Sequence, residues 1–169
     1  DYIAVNISSP NTQDLRNLSK EEFLSSLLKD LKNNQNRLSL IHGYKPIFIK
    51  ISPDESLENL NAICKSIKEI SLDGVICSNT SIEHNDKNGY GGISGKPLKE
   101  KAIKNLIKVR EILGTDFTII ASGGVMSSQD YLDRIKDGAN FVQIYTGLIF
   151  EGPKLIVDIL NLSSASRNT

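Results

Sequence analysis

The stretch Asp1-Tyr2-Ile3-Ala4-Val5-Asn6-Ile7-Ser8-Ser9-Pro10-Asn11-Thr12 decides the fold. Tyr2 to Val5 reads as an apolar strand. It runs directly into seven positions that hold three hydroxyls and two carboxamides. Asn and Ser are costly in a buried strand unless each polar atom finds a partner, so such a cluster at a strand end is where a ligand is sought. Pro10 removes a donor and forces the chain to turn. The plain alternative is a strand-to-helix turn with local side-chain caps, which is common. Four further strands that end in the same way favour the ligand site.

Those strands emerge on working outward. Phe23, Leu24, Leu27, Leu28 and Leu31 recur at helical spacing behind a Ser19–Glu22 capping box. Pro46 to Ile51 is a short strand with one lysine, Lys50. Leu57, Leu60, Ile63, Ile67 and Ile70 predict a second amphipathic helix. Asp73 to Cys77 is a third strand, ending in Ser78-Asn79-Thr80, and the Gly-rich run Gly89 to Gly95 follows. Ile103, Leu106, Ile107 and Leu113 predict a third helix. Thr118 to Ala121 is a fourth strand, ending in Ser122-Gly123-Gly124. Ser127 to Ile135 is a fourth helix, capped through Ser127 and Asp130. Phe141 to Ile144 is a fifth strand, ending in Tyr145-Thr146-Gly147, and Gly152-Pro153 opens a last helix.

Short apolar strands alternating with helices mean a parallel α/β sheet, either doubly wound or a (β/α)8 TIM barrel. A doubly wound sheet gathers its ligand residues near one switch point, whereas here all five strand ends are polar or glycine-rich, as in a barrel. The chain is therefore read as the C-terminal five βα units of a barrel, a partial barrel of parallel strands with the first three units missing. Residues 1–162 form one domain in this reading, and residues 163–169 a frayed polar tail.

With 20 basic and 20 acidic side chains the net charge is zero, which argues against a nucleic-acid partner. Apolar runs are too short to span a membrane, and no secretory leader is expected. Cys64 and Cys77 make neither a disulfide framework nor a metal pattern and read as small buried side chains. His42 and His84 fall in polar loops as surface residues, and no metal site is expected.

If the last two strands are barrel strands seven and eight, Gly124, Tyr145 and Thr146 border the phosphate pocket of the fold, with Gly95 adding a donor. The alternative for these glycines is tight turns alone. Lys50 projects from its strand opposite to Ile49 and Ile51. Inside a barrel it needs an anion, and a reduced flavin offers one; otherwise it snorkels to the rim.

The ordered set Asn6–Thr12, Lys50, Ser78-Asn79-Thr80, Gly91–Gly95, Ala121–Gly124 and Gln143–Gly147 resembles the C-terminal half of the class 2, quinone-dependent, dihydroorotate dehydrogenases, from about Asp1 to Leu162. The resemblance implies an FMN-containing barrel that oxidises dihydroorotate to orotate in pyrimidine synthesis and passes electrons to a membrane quinone. It implies Ser9 as the catalytic base. Asn6, Asn11, Asn79 and Thr80 match substrate-binding positions, with Asn6 also touching FMN. Lys50, Ser78, Gly95, Gly124, Tyr145 and Thr146 match FMN contacts. A serine base needs a proton relay, for which Thr12 is the candidate by position. Soluble class 1 relatives carry Cys where Ser9 stands, so the resemblance points to the membrane-associated class, in a bacterial or mitochondrial inner membrane. The implied membrane contact belongs to an N-terminal segment missing from the chain. The rivals are a class 1 or dihydropyrimidine dehydrogenase, a sugar-phosphate barrel, and an inactive fragment.

Overall fold

The computed structural model describes residues 1–9, 21–83 and 91–166. The Ser19–Glu22 box, Pro10 to Thr12, His84, Gly89 and Tyr90 fall wholly or partly outside the described residues. The elements are β1 (Ile3–Asn6), α1 (Glu21–His42), β2 (Ile47–Ile51), α2 (Leu57–Ile70), β3 (Gly74–Cys77), a 3-10 turn (Lys96–Leu98), α3 (Lys99–Leu113), β4 (Thr118–Ser122), α4 (Ser128–Lys136), β5 (Phe141–Gln143), α5 (Thr146–Glu151) and α6 (Lys154–Ser166). The five strands pair in sequence order, and every pair is parallel. This is the expected βα architecture, a section of a barrel.

The register explains the curvature. The row of partners starting at Asn6, the last residue of β1, runs through Lys50, Ile76 and Ile120 to Phe141, the first residue of β5. That stagger is the shear a barrel needs. Four strand spacings would separate β1 from β5 by about 19 Å in a flat sheet. Instead the Gln143 amide donates to the Tyr2 hydroxyl at 2.7 Å, so the sheet is rolled. Tyr2 also stacks edge-on against Phe48 at 5.4 Å.

Both faces of the central strands are covered, which is why Ile47-Phe48-Ile49-Lys50-Ile51 does not alternate cleanly. Ile47, Ile49, Ile51, Val75, Cys77, Ile119 and Ala121 pack outward against Leu24, Leu28, Ile63, Ile67, Leu106 and Val109 in one cluster. Phe48, Ile76 and Ile120 form a smaller inner layer. Cys64 and Cys77 are buried free thiols, as read. Gly74 allows β3 and β4 to approach: at φ +151 an added Cβ would lie 1.8 Å from the Thr118 carbonyl oxygen. Ser56 and Ser127 cap α2 and α4 by accepting from Asn59 N–H and Asp130 N–H, each at 3.1 Å.

Four expectations change. His42 is exposed, but it is the last residue of α1 rather than part of a loop. Helix α1 runs well past Leu31 and carries Leu40 and Ile41 into solvent. The fifth strand stops at Gln143, and Thr146 opens an additional short helix, α5. Helix α6 continues through Ser166, into the stretch read as a tail, because each turn still closes backbone hydrogen bonds and the hydroxyls of Ser163 and Ser164 bond back to the Leu160 carbonyl. No helix among the described residues is long and apolar enough to cross a membrane.

Candidate active site

The C-terminal ends of the strands surround a cavity of about 490 Å3. Lys50, Ser78, Asn79, Thr80, Gly95, Gly124, Tyr145 and Thr146 all line it, so eight of the eleven expected site residues come together. Of the other three, Asn6 joins through a hydrogen bond to Asn79, and Ser9 is half-buried at the end of the β1 segment without lining the cavity. Asn11, like the relay candidate Thr12, lies outside the described residues.

Lys50 sits between Asn6 and Ile76 in the strand register and is half-buried. Burial pulls its pKa below 10.5, and no other influence on it is resolved. With no carboxylate beside it among the described residues, the ammonium is a desolvated cation facing the cavity, an arrangement suited to an anion.

One hydroxyl organises the carboxamides. Ser8, fully buried, donates to the Lys50 carbonyl at 2.8 Å. The Asn79 amide donates to Ser8 Oγ at 3.2 Å and to Asn6 Oδ1 at 3.1 Å. Ser8 N–H donates to Asn6 Oδ1 as well, at 3.1 Å. Asn79 Oδ1 accepts from Thr80 N–H at 2.9 Å, fixing the amide orientation. Two carboxamides 73 residues apart are thus locked side by side across β1 and β3. Ser78 Oγ is buried with no hydrogen-bond partner among the described residues, an acceptor and donor left for a ligand.

The Asn79–Thr80 loop has its own brace. Asp54 accepts from Ser81 Oγ at 2.5 Å, from Ile82 N–H at 2.9 Å and from Lys101 Nζ at 2.6 Å. The ammonium and these donors hold the Asp54 carboxyl below its usual range against the opposing effect of burial. Ser81 and Ile93 also exchange backbone hydrogen bonds at 3.1 and 2.7 Å.

At the other end of the cavity, glycines expose backbone. Gly124, at φ +72, abuts Lys99 so closely that a Cβ would lie 2.4 Å from Lys99 Cα. Gly95, at φ +64, faces Thr146, whose methyl a Cβ would meet at 2.8 Å. Thr146 Oγ1 donates to Ser94 Oγ at 3.0 Å, joining the two loops. Tyr145 remains largely exposed at the rim. This glycine-lined recess can take an anion such as phosphate.

Ser8 and Gln143 were not singled out in the sequence. Gln143 had a signal, since it alternates with Phe141 onto the inner face of β5. Ser8 had none, because two adjacent serines differ only in which way each points. Among the described residues no group of three His, Cys, Asp or Glu could hold a metal ion.

The family profile described as dihydroorotate dehydrogenase matches residues 1–163. A protein of Dichelobacter nodosus called dihydroorotate dehydrogenase (quinone) is 43% identical over 99% of this chain and 51% of its own length. A protein of the same name from Coxiella burnetii is 38% identical over 100% of this chain and 51% of its own length. The crystal structure of DHODH from Eimeria tenella in complex with ferulenol superposes with a TM-score of 0.87 at 31% identity, covering 94% of this chain and 48% of that one. The chain spans about half the length of the curated relatives it matches.

Proposed function

The chain belongs to the dihydroorotate dehydrogenase family, and from that premise we propose that the protein oxidises dihydroorotate to orotate with bound FMN and passes the electrons to a quinone. The observation that carries this reading is the order of groups along one cavity. Locked carboxamides stand at β1 and β3, an ammonium without a carboxylate partner among the described residues on β2, and a glycine-lined anion recess after β4 and β5. A sugar-phosphate site would use the recess and leave Asn6 and Asn79 without a task.

The residues present fit a flavin nucleotide. Gly95, Gly124 and Thr146 would hold its phosphate, and Tyr145 would cover the outer side. Ser78 offers its unpartnered hydroxyl to the ring, and Lys50 a cation to the ring edge where negative charge gathers. Bound FMN supplies the acceptor for two electrons and a hydride.

Asn6, Asn79 and Thr80 would orient the substrate carboxylate and ring, together with Asn11. Locking the two amides through Ser8 before substrate arrives spares their rotamer freedom at binding. Ser9 would take the C5 proton. Its hydroxyl is a weak acceptor by itself, so the site has to pass that proton onward and keep bulk water out. A quinone acceptor dissolves in the bilayer, so the enzyme would work at a bacterial or mitochondrial inner membrane.

The test uses the protein purified at its natural length. Mass spectrometry of the released chromophore should give FMN. Anaerobic dihydroorotate should bleach its absorbance, and a ubiquinone analogue should restore it faster than fumarate or NAD. Absence of flavin, no bleaching, or reoxidation by fumarate or NAD in preference to quinone would reject the reading.

A further inference from the structure

Arg134, on α4, is the largest fully buried side chain among the described residues, 1% exposed. Its Nη2 donates to the Gly123 carbonyl at 2.9 Å and to the Lys99 carbonyl at 3.3 Å, while Nε and Nη1 have no partner among the described residues. No carboxylate among the described residues forms an ion pair with it, although Asp130, Asp137 and Asp133 act on its charge from a distance. Asp130, one turn earlier and itself 5% exposed, is taken by Lys99 Nζ at 2.5 Å and by Met126 N–H at 2.8 Å. A guanidinium keeps its proton in a protein, and burying it without a directly paired carboxylate is expensive. Leucine or methionine would spare the buried charge but leave the Gly123 and Lys99 carbonyls without this donor, so apolar packing alone does not account for the arginine.

Its position does. Ser122, Gly123, Gly124 and Val125 line the cavity, and Arg134 grips the carbonyl of Gly123 in the protein interior. In a trans peptide the C=O and the following N–H point in opposite directions. Drawing the Gly123 oxygen into the interior therefore turns the Gly124 N–H toward the cavity. The second bond, to the Lys99 carbonyl, clamps this peptide against the start of α3, where Gly124 already sits too close to Lys99 for any side chain. The charge itself lies in a poorly screened region just behind the recess, where it adds to the field felt by an anion.

We infer that Arg134 is a buried positioning residue of the phosphate recess: it sets the Gly123–Gly124 peptide with its N–H facing the cofactor's phosphate and supplies positive potential from behind. This rests on the FMN reading above and deepens it. Among the described residues no cation lines the glycine end of the cavity, and Arg134 supplies the positive charge from behind it.

FMN and riboflavin share a ring system and differ by the phosphate, so their ratio of affinities isolates the effect. Flavin-free protein of natural length is titrated with each, as wild type and as Arg134→Met and Arg134→Lys. Arg134→Met should weaken FMN by about tenfold or more, as for the loss of one charge-assisted interaction, and leave riboflavin nearly unchanged. Arg134→Lys keeps the charge without the planar fork and should fall between. Equal losses for both flavins, or no loss, would overturn the inference and leave a structural arginine. If the methionine variant does not fold, the lysine variant decides in the same way: a lowered FMN preference supports the inference, an unaltered one overturns it. A wild-type protein with no preference for FMN over riboflavin would instead remove the phosphate recess itself, and the inference with it.

Discussion

Replacing Lys50 with methionine should move two quantities in opposite directions. The ammonium is half-buried beside Asn6 and Ile76, and burial alone depresses its pKa from 10.5. The folded state therefore disfavours the protonated form relative to the unfolded chain. That cost is fully present below the depressed folded pKa. It fades as pH rises from there toward 10.5, where lysine in the unfolded chain also loses its proton. The cavity is open on one side, so the cost is about 1 kcal/mol rather than the several of a fully buried ion. In the flavin-free protein at pH 7, Lys50→Met should thus raise the urea midpoint by the equivalent of about 1 kcal/mol, and the gain should shrink at alkaline pH. With flavin bound the sign reverses. A cation about 4 Å from a negative charge gains about 4 kcal/mol at an effective dielectric of about 20, and water at the mouth reduces that to about 2 kcal/mol. For a two-electron couple in which 30 mV is about 1.4 kcal/mol, the flavin potential should fall by about 40 mV. A dye-coupled redox titration measures it. An unchanged or raised potential would refute the assignment of Lys50 to the reduced flavin. A flavin-free variant less stable than wild type would show that the ammonium is compensated after all.

Three further outcomes are expected. Ser9→Ala should retain flavin but slow its anaerobic reduction by dihydroorotate by about 100-fold or more; stopped-flow traces near wild type would remove Ser9 from the chemistry, and Ser9→Cys should recover part of the rate at higher pH. Gly124→Ala forces a left-handed φ of +72 on alanine and drives its Cβ to 2.4 Å from Lys99 Cα, so it should cost about 2–5 kcal/mol of stability and weaken FMN binding; a urea midpoint within error of wild type would contradict the close packing. The 169-residue chain by itself exposes Tyr2 at 44% and Phe141 at 63%, and β1 and β5 are the sheet's edges. It should therefore self-associate and hold FMN weakly or not at all, which a monodisperse monomer carrying stoichiometric FMN in analytical ultracentrifugation would disprove.

The class of fold was open to reading because its signals are local. Ile47 to Ile51 is short, apolar on both faces and interrupted by one lysine; Leu57 to Ile70 repeats at helical spacing; each polar strand end follows its strand directly in the chain. The same locality carried Lys50, Ser78, Asn79 and Gly124 to one rim, since parallel strands place all their C-terminal ends on one side. Boundaries were less legible. Thr146 looked like part of a strand end, yet it begins α5, because a three-residue β5 stops pairing at Gln143.

What the sequence by itself determined was the alternation, the parallel sheet and the ligand end of that sheet, all consequences of periodicity and of polar residues placed after apolar ones. Tertiary structure alone decided which serine holds the carboxamides, for Ser8 is identified by a carbonyl 42 residues away. It alone rolled the sheet far enough for Gln143 to reach Tyr2. It alone decided which face of α4 turns inward: the buried positions include the charged Asp130 and Arg134, while Ile135 is 36% exposed. Periodicity assumes that an inward face meets other apolar side chains. Here the inward face meets the unpaired backbone of a glycine loop, and buried carbonyls and N–H groups require partners that only polar side chains provide.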